Sequence, residues 1–324
     1  MTGDIKYKES SRFLLAGFIL IFWIACQVNF SFAEVINRNE LHSKCRTILG
    51  QNPGCILVAD FQEKELLAVV NPGFAFERAY KPGSVFKLVS AAALVENNLV
   101  DSETKYNCNN YFELQTKSYH CSQPGGHGNV NMTEALGLSC SIYFYRQIPK
   151  LSKHQLKNMA YKMGLRRIEL PDGFKYKSLF KPITPPEDPR KFLDFAVGDD
   201  KGIQVTSYQI LNLLSVVSTG EYFAPAKKKP GLKPETLKII RQGMIYAVNR
   251  GTCKPVKDEN LNTAAKTGTA THSEKQEKYH GWFIAYTPVK NPRYGVVVFL
   301  EDGRGYIDAV PLGIKVLKHL KTYI

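Results

Sequence analysis

The stretch from Tyr80 to Lys87 reads YKPGSVFK and runs directly into LVSAAALVENNLV. Apolar residues recur in the second segment at helical spacing, which predicts a helix with Ser84 on its first turn. Residues three apart share a helix face, so the Cβ atoms of Ser84 and Lys87 should lie about 5–6 Å apart. A hydroxyl and an amine at that separation make a nucleophile and its base. The same spacing occurs at Ser102/Lys105 and Ser178/Lys181. Ser102 lies in a polar link, and Lys181 precedes Pro182, which disfavours helix there. Only Ser84 opens a long apolar helix, where backbone N–H groups and the positive helix end favour an oxyanion. Taken alone, the pattern is also that of a simple helix cap.

On either side of this segment the chain alternates as strands do. CILVAD (Cys55 to Asp60) and ELLAVV (Glu65 to Val70) predict a hairpin just before Ser84, and GWFIAYTP (Gly281 to Pro288) with YGVVVFLE (Tyr294 to Glu301) predict a second near the other end. Helical spacing covers Met132 to Ile148, Gln209 to Ser218, Pro234 to Asn249 and Asp308 to Leu320. The expected fold is α+β: a mainly antiparallel sheet built from N- and C-terminal hairpins, flanked by helices, with a helical subdomain inserted between its halves. Before the second hairpin stands Lys266-Thr267-Gly268-Thr269-Ala270. As a strand edge, its glycine admits a ligand close to the backbone, and Lys266 with the hydroxyls of Thr267 and Thr269 can grip a carboxylate.

A third element, Ser139-Cys140-Ser141 within EALGLSCSIYFYRQI, says nothing alone. Between the other two it resembles the middle motif of the penicillin-binding protein transpeptidases and serine β-lactamases, whose S-x-x-K, S-x-N and K-T-G elements occur in this order. GCILVADFQEKELLAVVNP, HGNVNMTEALGLSCS, AVGDDKGIQVTSYQI, GMIYAVNRGTC and AAKTGTA also resemble that family, so the likeness covers nearly everything after residue 50. The resemblance implies that Ser84 attacks the D-alanyl-D-alanine bond of a peptidoglycan stem peptide with Lys87 as base. Ser139 would relay the proton, Lys266 would support the electrostatics, and Thr267, Gly268 and Thr269 would bind the substrate. The N–H groups of Ser84 and Thr269 would form the oxyanion hole. An amine acceptor gives a D,D-transpeptidase and water a D,D-carboxypeptidase. β-Lactams would be covalent inhibitors. Ser141 stands where the family usually has a substrate-binding asparagine, so it would bind substrate at that position through one short hydroxyl, with one or two contacts fewer than an amide gives. Alternatives are a class D-like β-lactamase, a β-lactam sensor and a non-catalytic scaffold of the same fold.

Composition and the N-terminus set the surroundings. With 324 residues and 44% apolar content the chain can bury a large core, and the net charge of +14 predicts a basic surface. No segment resembles a nucleic-acid module. Lys6, Lys8 and Arg12 precede an uncharged run from Phe13 to Val28, followed by Ser31-Phe32-Ala33. Residues 1–33 therefore read as an export signal or an uncleaved membrane anchor, with residues 34–324 as the transpeptidase-like domain, periplasmic or otherwise extracytoplasmic. The short distance from Ala33 to Ser84 suggests a stand-alone domain, with cell-wall synthesis partners left open. Cys45, Cys55, Cys108, Cys121, Cys140 and Cys253 would meet an oxidising compartment, where Cys45/Cys55 and Cys108/Cys121 could each close a local disulfide. None of their spacings is of the C-x-x-C type, so no metal or other cofactor is expected.

Overall fold

Helix α1 (Arg38–Leu49) starts at Asn37, whose side chain accepts from the Glu40 N–H, and leads into the expected hairpin of β1 (Gly54–Asp60) and β2 (Glu65–Val70). In this computed structural model the described residues are 37–170, 175–226, 228–273 and 276–323, so the predicted export segment lies outside them. Among the described residues no helix is long and apolar enough to cross a membrane. After α2 (Pro72–Phe76), the turn Gly83–Phe86 is a 3-10 helix that continues as α3 (Lys87–Glu96). Ser84 thus sits in a 3-10 turn, not on the first α-helical turn as predicted. With three residues per turn, that geometry still aligns positions 84 and 87.

A small lobe follows, in which β3 (Tyr106–Cys108) pairs with β6 (Gly128–Val130) and β4 (Tyr111–Leu114) pairs with β5 (Lys117–His120). The helix predicted across Met132 to Ile148 is instead two, α4 (Met132–Gly137) and α5 (Ser141–Gln147). The break lies at Ser139, whose φ of 56° is left-handed. Cys140 N–H donates to Ala135 O and Ser139 N–H to Leu136 O, the crossed pair that closes a helix around one left-handed residue. Helices α6 (Lys153–Lys162), α7 (Pro189–Ala196), α8 (Ser207–Thr219), α9 (Pro234–Arg250) and α10 (Lys254–Lys257) complete the middle.

The last strands are β7 (Ala264–Ser273), β8 (Lys278–Thr287) and β9 (Tyr294–Leu300), and α11 (Val310–Leu320) closes the fold. All pairings are antiparallel and the sheet order is β2-β1-β9-β8-β7, so the two predicted hairpins join through β1 and β9. Every residue of β1 and β9 is buried, because helices cover both faces. Alternation sorts the side chains. Cys55, Leu57, Ala59, Trp282, Ile284, Val297 and Phe299 enter the large core with α8, while Ile56, Val58, Phe283 and Val298 are buried on the other face, where α1 and α11 pack. Helix α8 is buried all round, as the near-absence of charge in SYQILNLLSVVST requires.

The Ser84 turn is fastened to the open edge of β7. Tyr80 pairs with Val205, and Gly83 N–H donates to Gly198 O at 3.0 Å. A Cβ on Gly83, whose φ is +53°, would fall 2.4 Å from Thr269 O, so only glycine allows this approach. Asp199 bridges the two segments, accepting from Lys81 Nζ, Thr271 N–H and Thr271 Oγ1, each at 2.9 Å. Trp282 Nε1 on β8 donates to Lys81 O at 2.9 Å.

Buried Asn212 of α8 anchors the back of the core: its amide donates to Gly164 O, and its carbonyl accepts from Phe223 N–H and Ala224 N–H. Truncation leaves those backbone groups unpaired in an apolar setting. Asn212→Ala should lower unfolding stability by about 1–3 kcal/mol, measured by denaturant titration. A loss within experimental error would show that the pins are dispensable.

Candidate active site

Three segments converge on one point. The Ser84 turn brings Ser84 and Lys87, the joint between α4 and α5 brings Ser139 and Ser141, and the β7 edge brings Lys266 to Thr269. Lys87 and Lys266 are both fully buried, whereas Ser84 is half-buried and reachable. The Lys87 ammonium donates to Ser139 O at 2.7 Å and to Ser141 Oγ at 2.9 Å, not to Ser84. Lys266 donates to Ser139 Oγ at 3.0 Å and to Thr267 O at 2.9 Å. Ser139 is therefore held from both sides, its carbonyl by one lysine and its hydroxyl by the other. Its left-handed backbone is what turns the two groups toward different amines.

Burial without a counter-ion disfavours the charged form of an amine. Desolvation lowers Lys87 to about 8, partly opposed by the nearby Cys140 and Cys121 thiols. Desolvation, and then the adjacent Lys87 charge, lower Lys266 to about 7. An amine lowered this far can accept a proton near neutrality, and Lys266 can exchange one with the Ser139 hydroxyl it contacts.

Outward N–H groups alternate along an edge strand. Thr271 N–H points off the edge to Asp199, so Thr269 N–H, two residues earlier, also faces outward, against Gly83. The β7 edge thus presents a free-standing donor beside the Ser84 turn. Gly268 packs on the same turn, since a Cβ there would lie 2.6 Å from Pro82 O. The hydroxyls expected to grip a carboxylate are engaged within the protein: Thr267 Oγ1 donates to Thr252 Oγ1 at 2.9 Å, and Thr269 Oγ1 accepts from Gly305 N–H at 3.0 Å. Thr252, at the end of α9, is a site residue that the sequence reading missed, and its only signal was the Gly251-Thr252-Cys253 break in a helical run. Ser102 and Ser178 lie in bends and loops away from this junction.

The cysteines depart from expectation. Cys45, Cys55, Cys108, Cys121, Cys140 and Cys253 are free thiols, so neither the Cys45/Cys55 nor the Cys108/Cys121 disulfide is present. Cys108, Cys121, His127 and Cys140 instead turn toward one another, with all four donor atoms within 4.8 Å. Spacing argued against a metal because no two of the donors are close in sequence as a C-x-x-C pair is, yet folding gathers them from separate loops. His127 Nδ1 lies 3.2 Å from Cys121 Sγ and 3.6 Å from Cys108 Sγ. Hydrogen bonding from Cys140, and then His127, holds the Cys121 thiol far below its usual range, while the same contact and burial push Cys140 up. The set can hold one thiophilic ion.

Comparison with known proteins shows the family and the fold. Residues 54–315 match the family described as penicillin binding protein transpeptidase domain. The peptidoglycan D,D-transpeptidase MrdA of Haemophilus influenzae is 26% identical over 294 residues, covering 76% of this chain and 45% of that protein. Stage V sporulation protein D of Bacillus subtilis is 26% identical over 281 residues, covering 77% of this chain and 42% of that protein. The chain thus spans about half the length of the curated relatives it matches. Among solved structures, penicillin-binding protein 2 of Helicobacter pylori in its complex with MreC superposes with a TM-score of 0.76 at 21% identity, over 87% of this chain and 62% of that one. The transpeptidase domain of Burkholderia pseudomallei penicillin-binding protein 3 gives 0.75 at 18% identity, over 88% of this chain and 94% of that one. The α+β architecture expected from the hairpins is the one these structures share, and the chain belongs to the penicillin-binding protein transpeptidase domain family.

Proposed function

We propose that this chain is a serine acyl-transferase acting on the D-alanyl-D-alanine end of peptidoglycan stem peptides, as a D,D-transpeptidase or, with water as acceptor, a D,D-carboxypeptidase. The observation that carries the reading is that Lys87 holds the Ser139 carbonyl and Lys266 the Ser139 hydroxyl, beside the half-buried Ser84 and the open β7 edge. Ser84 Oγ attacks the carbonyl carbon of the penultimate residue and gives its proton to neutral Lys87. The carbonyl oxygen becomes an oxyanion facing the N–H groups of Ser84 and Thr269. Collapse breaks the C–N bond while the Ser139 hydroxyl protonates the leaving amine and takes a replacement proton from charged Lys266, its hydrogen-bond donor. The proton on Lys87 returns to Ser84 Oγ when the ester is later cleaved, and the acceptor's proton goes to Lys266 through Ser139. The acyl ester on Ser84 then passes to an amine or to water. Donors of this kind are each worth about 2.7–4 kcal/mol in the transition state. The free carboxylate is met by Lys266 and by the Thr252/Thr267 hydroxyl pair, which must reorient toward it.

The Ser141 side chain serves Lys87 in this scheme rather than the substrate, since its hydroxyl accepts from that amine. The export signal or anchor read in residues 13–28 supports an extracytoplasmic location, where stem peptides are. The likeness to a protein solved in complex with MreC supports a cell-wall assembly partner.

Labelled penicillin should acylate Ser84, located by peptide mapping, and the adduct should persist for many minutes. Label on Ser102 or Ser178 instead, or none on folded protein, would sink the assignment, and rapid regeneration of free enzyme would favour a β-lactamase. The acylation rate should rise with pH to a plateau, with a midpoint near 8 set by Lys87, which faces Lys266 from β7 and the Cys121 and Cys140 thiols from the small lobe and the α4–α5 joint. The sign follows from the base: only the unprotonated amine can accept from Ser84. A profile falling over that range would contradict it. Ser141→Ala removes an acceptor from the charged amine, a contact worth about 1.5–3 kcal/mol, so the midpoint should move down by about one unit. An unmoved midpoint would leave Ser141 without this role.

A further inference from the structure

The two N–H groups that face the oxyanion belong to different segments, Ser84 to the 3-10 turn and Thr269 to the β7 edge, so the width of the hole between them is a tertiary distance. Among the described residues no backbone hydrogen bond joins residues 81–86 directly to β7. The missing Cβ of Gly83 lets the two backbones approach, but close approach alone does not stop one segment from sliding past the other. We propose that Asp199 is the positioning residue that sets this width, by clamping Lys81 on one side of the hole to Thr271 on the other. The inference rests on the acyl transfer proposed above.

Asp199 is delivered by the end of α7, in the run FAVGDDKG (Phe195 to Gly202). Gly198, with φ +85°, ends that helix in the left-handed region. Its N–H donates to Phe195 O and the Asp199 N–H to Asp194 O, each at 2.9 Å, the crossed pair that closes a helix around one left-handed residue. The same glycine lies against the Ser84 turn: its carbonyl accepts from Gly83 N–H at 3.0 Å, and a Cβ on it would fall 2.1 Å from Gly83 O. The Asp199 side chain therefore leaves from a capped helix end whose backbone is already fastened to the turn.

From there the carboxylate reaches both flanks of the hole. One oxygen accepts from Lys81 Nζ and from Thr271 N–H, the other from Thr271 Oγ1, each at 2.9 Å. Lys81 stands three residues before Ser84, and Thr271 two residues after Thr269, about 6.4–6.8 Å along the strand. Lys81 is held at its backbone as well, since its carbonyl accepts from Trp282 Nε1. The Lys81 and Asp199 side chains are 21% and 33% exposed, and ion pairs that meet solvent add little stability. What this one adds is geometry, because both oxygens are fixed on β7 while one of them also holds Lys81. Misplacing a catalytic group by about 1 Å can cost about a hundredfold in rate, so a contact that matters little for folding matters for the hole.

The test uses the full chain and penicillin labelled with carbon-13 at the β-lactam carbonyl. In Asp199→Ala the limiting acylation rate should fall by about tenfold or more, while the half-saturating penicillin concentration moves by less than about twofold, because the oxyanion exists only in the transition state. The labelled ester carbonyl of the acyl-enzyme lies in the same hole, so difference infrared spectroscopy reads the clamp directly: its stretch should move to higher wavenumber and broaden. Lys81→Met, which leaves both Thr271 bonds in place, should shift rate and band in the same direction by less, and it decides the matter if Asp199→Ala does not fold. Asp60 is the control: it accepts from Gln62 N–H, Glu63 N–H and Arg293 Nε, and its register partners lie at the opposite end of the sheet from Thr269. Asp60→Asn should lower the melting temperature and leave rate and band unchanged. A wild-type rate and an unmoved band in the folded Asp199 or Lys81 variant would overturn the clamp, as would equal slowing in Asp60→Asn. Wild-type protein that takes no label at Ser84 would instead reject the acyl-transfer reading, and the clamp's role with it.

Discussion

Everything at this junction depends on two buried amines sharing one serine. Lys87 and Lys266 are wholly removed from solvent, and among the described residues neither forms an ion pair. An unpaired ammonium in such a place loses several kcal/mol of hydration, and two side by side add their repulsion. The way out is to give up protons, which turns poor bases into good ones near neutrality. Ser139 makes the arrangement tolerable by offering each amine one oxygen, and Ser141 adds a third. A carboxylate here would hold the lysines charged and leave Ser84 without a base.

That chemistry is useful only if Ser84 and the β7 edge keep their distance, and the fold spends its glycines and one carboxylate on this. Gly83 permits the close approach to Thr269, Asp199 ties Lys81 to Thr271, and the Trp282 indole reaches across to Lys81 O. These ties run between segments about 120 and 200 residues apart in the chain and converge only because β8 and β9 carry β7 onto the sheet begun by β1.

Much of this was legible from the sequence because it is written in short-range patterns. Both hairpins follow from runs of β-branched and aromatic residues, and the Ser84/Lys87 pairing survives the change from α to 3-10 helix because either geometry aligns positions three apart. The K-T-G edge was readable because glycine and lysine have few other reasons to interrupt a strand. What was hidden depends on tertiary context. Nothing local in EALGLSCSIYFYRQI announces that Ser139 will turn left-handed, since serine has no preference for that region and the apolar spacing runs on through the break. Thr252 acts only because α9 ends beside β7. The four metal-type donors come from segments whose separations match no compact motif, so spacing pointed to local disulfides where folding produced a shared cluster.

Ser139 explains why these hidden features belong together. Its carbonyl and hydroxyl must face different lysines, which a residue inside a continuous helix cannot do, because its carbonyl would be spent on the next turn. Breaking the helix frees the carbonyl but leaves a strained residue at the end of α4, a helix of only six residues. Short helices have few bonds with which to resist unwinding. The crossed hydrogen bonds from Ser139 and Cys140 provide part of the restraint, and α5 begins at once on the other side. A side chain at position 140 that is anchored from outside both helices restrains the joint without touching either lysine. A sulfur drawn into a buried cluster with three other donors meets that need better than an apolar side chain, whose contacts are non-directional and would let the turn relax.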